Sequence, residues 1–210
     1  PEYDGLQLIN RAAIINMPRQ LLKNDIKIAP IKIYGTEWNK TNRKIVSSDG
    51  KVTIQVGGKI DRLDMVNDET TSKPMLRIVD YKTKAGNKEE KASSVEELFM
   101  HNKVHPSYIF QTFLYCAVIL DYLREQGSAD YYQVSPNLFY VAKSSPDDYS
   151  PVIKLGKDEV KDFSIYENEF IERLSELLQE IFDPAIPFVP TSQEETCMWC
   201  DFKNLCNIKA

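Results

Sequence analysis

Val52-Thr-Ile-Gln-Val-Gly-Gly-Lys-Ile-Asp-Arg-Leu-Asp64 and Met75-Leu-Arg-Ile-Val-Asp-Tyr-Lys82 decide how this chain is read. The first stretch alternates apolar and polar residues with the period of two that marks a half-buried strand. The second is read as another strand. The polar residues from Asn67 to Lys73 make a turn or loop between them, so the two are expected to pair antiparallel. On the second strand Asp80 and Lys82 stand two apart and project from one face, while Tyr81 points to the other. If the neighbouring strand sets Asp61 opposite, two carboxylates and the carbonyl of Tyr81 converge on one point. Oxygen donors of this kind suit Mg²⁺ or Mn²⁺. The pattern fits phosphodiester hydrolysis: the cation acts as a Lewis acid on the scissile phosphate and acidifies a water, and the lysine orients that water or offsets charge. Taken alone, Asp-Tyr-Lys is more often the solvated polar end of a strand.

Working outward, Leu6, Ile9, Ala13, Met17, Leu21 and Leu22 recur at helical spacing, which predicts a helix over residues 6 to 26, broken at Pro18. Ile28 to Trp38 reads as a strand, followed by a polar loop at Ser47 to Gly50. Downstream, His105-Pro106 starts a long helix whose apolar stripe is Ile109, Phe113, Ala117, Leu120 and Leu123, ending near Gly127. Residues 131 to 142 form a further strand, and Lys157 to Phe182 an amphipathic helix stopped by Asp183-Pro184. Strands first, then helix, strand and helix make a layered α/β domain. Residues 1–190 are expected to form this core. The start at Pro1 rather than Met suggests an N-terminally truncated piece of something longer, and 191–210 reads as a cysteine-rich tail.

The 210 residues are 42% hydrophobic and 27% charged, an ordinary composition for one domain. A net charge of -5 argues against a broad basic face for nucleic acid. DNA is still compatible, because a chain that holds cations among its own carboxylates can meet phosphates locally. No stretch approaches the roughly 18 consecutive apolar residues of a membrane span. Pro1 to Asn10 has no signal-peptide pattern, so a cytoplasmic location with no membrane partner is expected. Cys197, Cys200 and Cys206 cluster near the end, which in a cytosolic protein reads as metal or cluster binding. Zinc or iron usually takes four such ligands. Cys116, in mid-helix, reads as a buried apolar residue. No Gly-x4-Gly-Lys-Ser/Thr loop occurs, so any ATP-driven motor must lie elsewhere.

Four blocks follow in order: Gly57-Gly58-Lys59-Ile60-Asp61-Arg62-Leu63-Asp64, then Arg77-Ile78-Val79-Asp80-Tyr81-Lys82-Thr83-Lys84, then Gln111-Thr-Phe-Leu-Tyr115, then Cys197-Met-Trp-Cys200 with Cys206. In order and spacing they resemble the PD-(D/E)XK nuclease superfamily, in particular the branch holding the nuclease domains of bacterial RecB and AddB recombination proteins and the Cas4 nucleases. The resemblance implies a restriction-endonuclease-like α/β core with a central mixed sheet flanked by helices. It makes Asp61, Asp80 and the Tyr81 carbonyl the ligands of Mg²⁺ or Mn²⁺, and Lys82 the catalytic lysine. Gln111 and Tyr115, on one face of their helix, match a Gln-x-x-x-Tyr motif that lies against the active site and orients the lysine or the DNA.

The resemblance also implies a [4Fe-4S] cluster on Cys197, Cys200 and Cys206 together with one upstream cysteine. That fourth cysteine is absent from this chain, so the cluster is expected in a full-length protein, or else a metal is held by three thiolates and something else. The upstream acidic or His ligand of the family has no clear counterpart: Glu2 and Asp4 are terminal, and Glu37 reads as a strand residue. His101 and His105 follow the lysine strand and read as surface or helix-cap residues. Asp64, of opposite parity to Asp61, is expected to pair with Arg62 or Arg77, and Arg62 either contacts DNA phosphate or is structural. The implied activity is a metal-dependent deoxyribonuclease, an exonuclease on single-stranded ends working beside a helicase domain or subunit in recombination or repair, with single-stranded or duplex DNA ends as partner. Two alternatives stand beside it: an inactive nuclease-like DNA-binding or scaffold module, and a Cas4-like nuclease of CRISPR adaptation.

Overall fold

The alternating stretch around Asp61 forms two strands rather than the single one expected. β3 (Thr53–Gly57) pairs antiparallel with β2 (Asn42–Val46) in a separate ribbon, and β4 (Ile60–Asn67) enters the central sheet. The break falls where Gly58 passes close to the helix beyond: a Cβ there would sit 2.7 Å from the Tyr115 ring. Only glycine allows that approach, and the chain changes sheets as it makes it. β2 had no sequence signal because its residues are largely polar and belong to an outlying ribbon. This computed structural model describes residues 4–39, 42–46, 53–67, 73–83, 90–100, 105–145, 147, 149–189, 191, 197–198 and 200–206.

The central sheet runs in the order β1 (Ile31–Trp38), β4, β5 (Pro74–Lys82) and β6 (Gln133–Tyr140). β4 is antiparallel to both its neighbours, as expected for the Asp61 and Asp80 strands, while β5 and β6 are parallel. A parallel pair needs a long crossover, and helix α2 (Ser107–Glu125) lies within it. Every residue of the predicted α2 stripe is buried. The result is a mixed sheet flanked by three helices.

The two faces differ. Leu63, Leu76, Ile78, Val134 and Leu138 join α2 in the main core, where Cys116 is fully buried; burial raises its thiol well above the usual range. Against the opposite face lies a smaller cluster, Val79, Phe139 and Val141 under Met17 and Leu21 of helix α1 (Gly5–Lys27). α1 runs unbroken through Pro18, contrary to expectation. Proline forfeits one backbone bond, but a capping box at Asp4 and Gln7 fixes the start of the helix, and packing of Met17 and Leu21 holds the turns on either side.

The last helix, α3 (Glu167–Phe182), starts ten residues later than predicted. The preceding residues instead form a small hairpin, β7 (Lys154–Leu155) with β8 (Asp158–Glu159), around Gly156 at φ 63°, and a 3-10 turn at Phe163–Ile165. Val160 and Phe163 are buried from irregular chain, which mimics helical spacing in the sequence.

At the start of α3, the buried Glu167 joins Arg124 of α2 and Arg43 of β2. Burial opposes its ionisation, yet Arg124 and then Arg43 outweigh burial and hold its carboxyl below the usual range. A depressed folded pKa stabilises above the ordinary carboxylate range, and that contribution is lost as pH falls through the depressed value. Glu167→Gln should therefore cost about 2 kcal/mol at neutral pH, less than a fully buried pair because Arg124 is half exposed. In thermal melts from pH 7 to pH 3, the gap to the unmodified chain should close on acidification.

Candidate active site

Arg62 lies across from Val79 in the β4·β5 ladder, which sets Asp61 level with Asp80 on the α2 face. Asp61 Oδ2 accepts from the backbone N–H of Tyr81 at 2.9 Å, which fixes that carboxylate against β5. Asp80 is buried, and the Lys82 ammonium is ion-paired to its Oδ2. Lys82 Nζ also lies 3.9 Å from the centre of the Tyr108 ring and donates to Gln111 Oε1 at 3.4 Å. Gln111 Nε2 in turn donates to Tyr115 Oη at 2.9 Å. Gln111 is thus a bridge, and Tyr115 is buried rather than a surface aromatic. Sequence reasoning missed Tyr108, although it stands three residues before Gln111 and so on the same helical face.

Gly58 completes this arrangement from the other side, because Tyr115 fills the space its Cβ would need. Gly58→Ala should displace a ring that is itself buried, at a cost of about 1–3 kcal/mol. A lower urea midpoint with an unchanged slope would register the strain, and an unchanged midpoint would count against the tight contact.

The donor set fits a hard divalent cation. Burial pushes the Asp80 carboxyl up, Lys82 opposes that, and the neighbouring Asp61 charge adds to it. A carboxylate whose proton affinity is raised by a neighbouring negative charge also gains affinity for a cation. Asp80 Oδ2 is buried, and its partner among the described residues is the Lys82 ammonium.

A third acidic or His ligand is not brought in: among the described residues no three His, Cys, Asp or Glu side chains gather as a metal group. Glu37 stands level with Asp61, at φ 51°, but its carboxylate is ion-paired with the exposed Lys59. Asp4 caps α1, accepting from Gln7 N at 2.8 Å. Glu2, His101 and Lys84 lie outside the described residues. His105 is exposed just before α2, its ring near Phe110, and it does not cap the helix with its side chain.

On the opposite face Asp64 accepts from Arg77 at 2.7 and 2.8 Å and from Arg62 Nε. The parity reading of Asp64 holds. Arg62 also holds Asp25 of α1 through both terminal nitrogens, and one of them donates to Tyr81 Oη. With its donors committed and the residue 6% exposed, Arg62 is structural and not a phosphate contact. Asp25 belongs to this network, so it cannot reach the Asp61 side of the sheet.

The iron-sulfur cluster expected of a full-length protein finds no support among the described residues. Cys197 is buried while Cys200 and Cys206 are exposed, and among the described residues they do not come together as a metal group. Cys200 Sγ instead accepts from Phe202 N at 3.4 Å within a run of turns. Sequence spacing alone could not decide this, because three thiolates converge only if the turns between them fold around a common point.

The profile of the PD-(D/E)XK nuclease superfamily matches residues 9–207. The chain belongs to that superfamily, and its mixed sheet with flanking helices is the restriction-endonuclease-like fold. No curated protein gives a significant match. Among the described residues no helix is long and apolar enough to cross a membrane.

Proposed function

We propose that the chain is a Mg²⁺- or Mn²⁺-dependent deoxyribonuclease that shortens DNA from single-stranded ends, working beside a helicase domain or subunit in recombination or repair. The observation that carries this reading is the Lys82 ammonium, held by Asp80, Gln111 and Tyr108 where Asp61 stands level with Asp80. Asp61, Asp80 and the Tyr81 carbonyl would hold the cation, which when bound supplies Lewis acidity to the scissile phosphate. Lys82 orients the attacking water or offsets the charge that builds on the phosphate oxygens. Gln111 keeps the ammonium in place through its carbonyl, and Tyr115 fixes the Gln111 amide so that this carbonyl faces Lys82.

End-labelled linear single strands, single-stranded circles and blunt duplexes, incubated with Mg²⁺, Mn²⁺ or EDTA, test the proposal. Linear single strands should shorten only with metal, circles should resist, and Asp80→Ala should be inactive. Cleavage that survives in Asp80→Ala would rule out this site. A second reading, a nuclease-like module that binds DNA without cutting it, draws on the lack of a third acidic or His ligand among the described residues. Metal-independent binding of the same strands without any shortening would favour it.

A further inference from the structure

Helix α2 starts without a cap of its own. Pro106 occupies the N-cap and its side chain makes no capping bond, so the first amides of the helix need an acceptor from elsewhere. Glu90 supplies it from outside the helix. Its Oε2 accepts from Tyr108 N at 2.7 Å and Ile109 N at 3.0 Å, and its Oε1 from Ser107 Oγ at 3.2 Å. A carboxylate here also meets the positive end of the helix dipole. The backbone N–H of Glu90 donates to Tyr140 Oη at 3.1 Å, and Tyr140 is the β6 residue directly across from Lys82. Glu90 therefore ties the first turn of α2 to the sheet at the level of the lysine.

Both α2 side chains that touch the Lys82 ammonium, Tyr108 and Gln111, ride on that turn or just after it. We propose that Glu90 is a positioning residue: by capping α2 it holds the Tyr108 ring and Gln111 against Lys82, and so holds the ammonium beside Asp80. The inference rests on the nuclease reading only for its effect on rate. If the cap is lost, the first turn frays and the ring withdraws from the lysine. A displacement of about 1 Å in such a group can lower a rate on the order of 100-fold.

The test uses the whole chain and a signal independent of cleavage. The ε-methylene protons of Lys82, whose Nζ stands over the Tyr108 ring, should resonate upfield of other lysines. Glu90→Ala should move them back toward the ordinary position and lower kcat about 10- to 100-fold with little change in KM. Glu90→Gln, which keeps the acceptor oxygen, should retain the upfield position and most of kcat. Glu97→Ala, whose carboxylate accepts from Ser93 N rather than from α2, should change neither.

An upfield signal that persists in Glu90→Ala overturns the proposal, as does a lost signal with an unchanged kcat. If Glu90→Ala fails to fold, Glu90→Gln decides, because loss of kcat with the signal retained would mean that Glu90 acts other than by positioning. A chain that cuts no DNA, but whose Lys82 signal moves in Glu90→Ala, defeats the nuclease reading and leaves the positioning role standing.

Discussion

Lys82→Ala should reduce metal-dependent cleavage of single-stranded DNA by about 10²- to 10³-fold in kcat, the usual effect of removing one preorganised charge from a developing oxyanion. KM should change far less. The ammonium is committed to Asp80, Gln111 and Tyr108 in the resting protein, so it adds little to ground-state binding and acts where charge accumulates on the phosphate. An interaction made only in the transition state appears in kcat and kcat/KM alike. Lys82→Arg should not restore the rate. A planar guanidinium cannot occupy the point between the Tyr108 ring and the Asp80 carboxylate that a compact ammonium fills. Single-turnover rates at saturating Mg²⁺ or Mn²⁺ give the measurement, and a Lys82→Ala rate within threefold of the unmodified chain would remove lysine from the chemistry.

The core of this site was legible because its rules are local. A spacing of two on a strand put Asp80 and Lys82 on one face, and a spacing of four on a helix did the same for Gln111 and Tyr115. The same parity rule sent Asp64 to the other face, where it is found. Hidden features depend on contacts between distant segments. The break at Gly58 is dictated by a tyrosine fifty-seven positions later, and strand alternation across it looks continuous. Glu90 caps a helix that does not contain it, so no capping motif marks the start of α2. Tyr108 was local and could have been found by extending the Gln111 face one turn upstream. Apolar spacing misplaced the start of α3 because Val160 and Phe163 are buried by an irregular segment, and burial rather than helicity sets that pattern.

The largest effect on stability is expected on the opposite face of the sheet. Asp64 is fully buried between Arg62 and Arg77, each 6% exposed, and accepts hydrogen bonds from both. Asp64→Ala leaves Arg62 with Asp25 but takes from Arg77 both of its bonds to this carboxylate. Stripping a buried charge of its partner costs about 3–5 kcal/mol, a large share of the roughly 5–15 kcal/mol that holds a typical domain together. Asp25→Ala should cost less, because Asp25 is partly exposed and Arg62 keeps Asp64. Urea unfolding should rank the two variants in that order, with unchanged slopes. The double variant Asp64→Ala with Arg77→Met separates a lost attraction from an orphaned charge. If the penalty lies in the unpaired guanidinium, removing it should return a large part of the loss, and the two changes should be strongly non-additive. Additive costs would mean that Arg77 reaches water once Asp64 is gone, so that the buried network stabilises by packing rather than by charge.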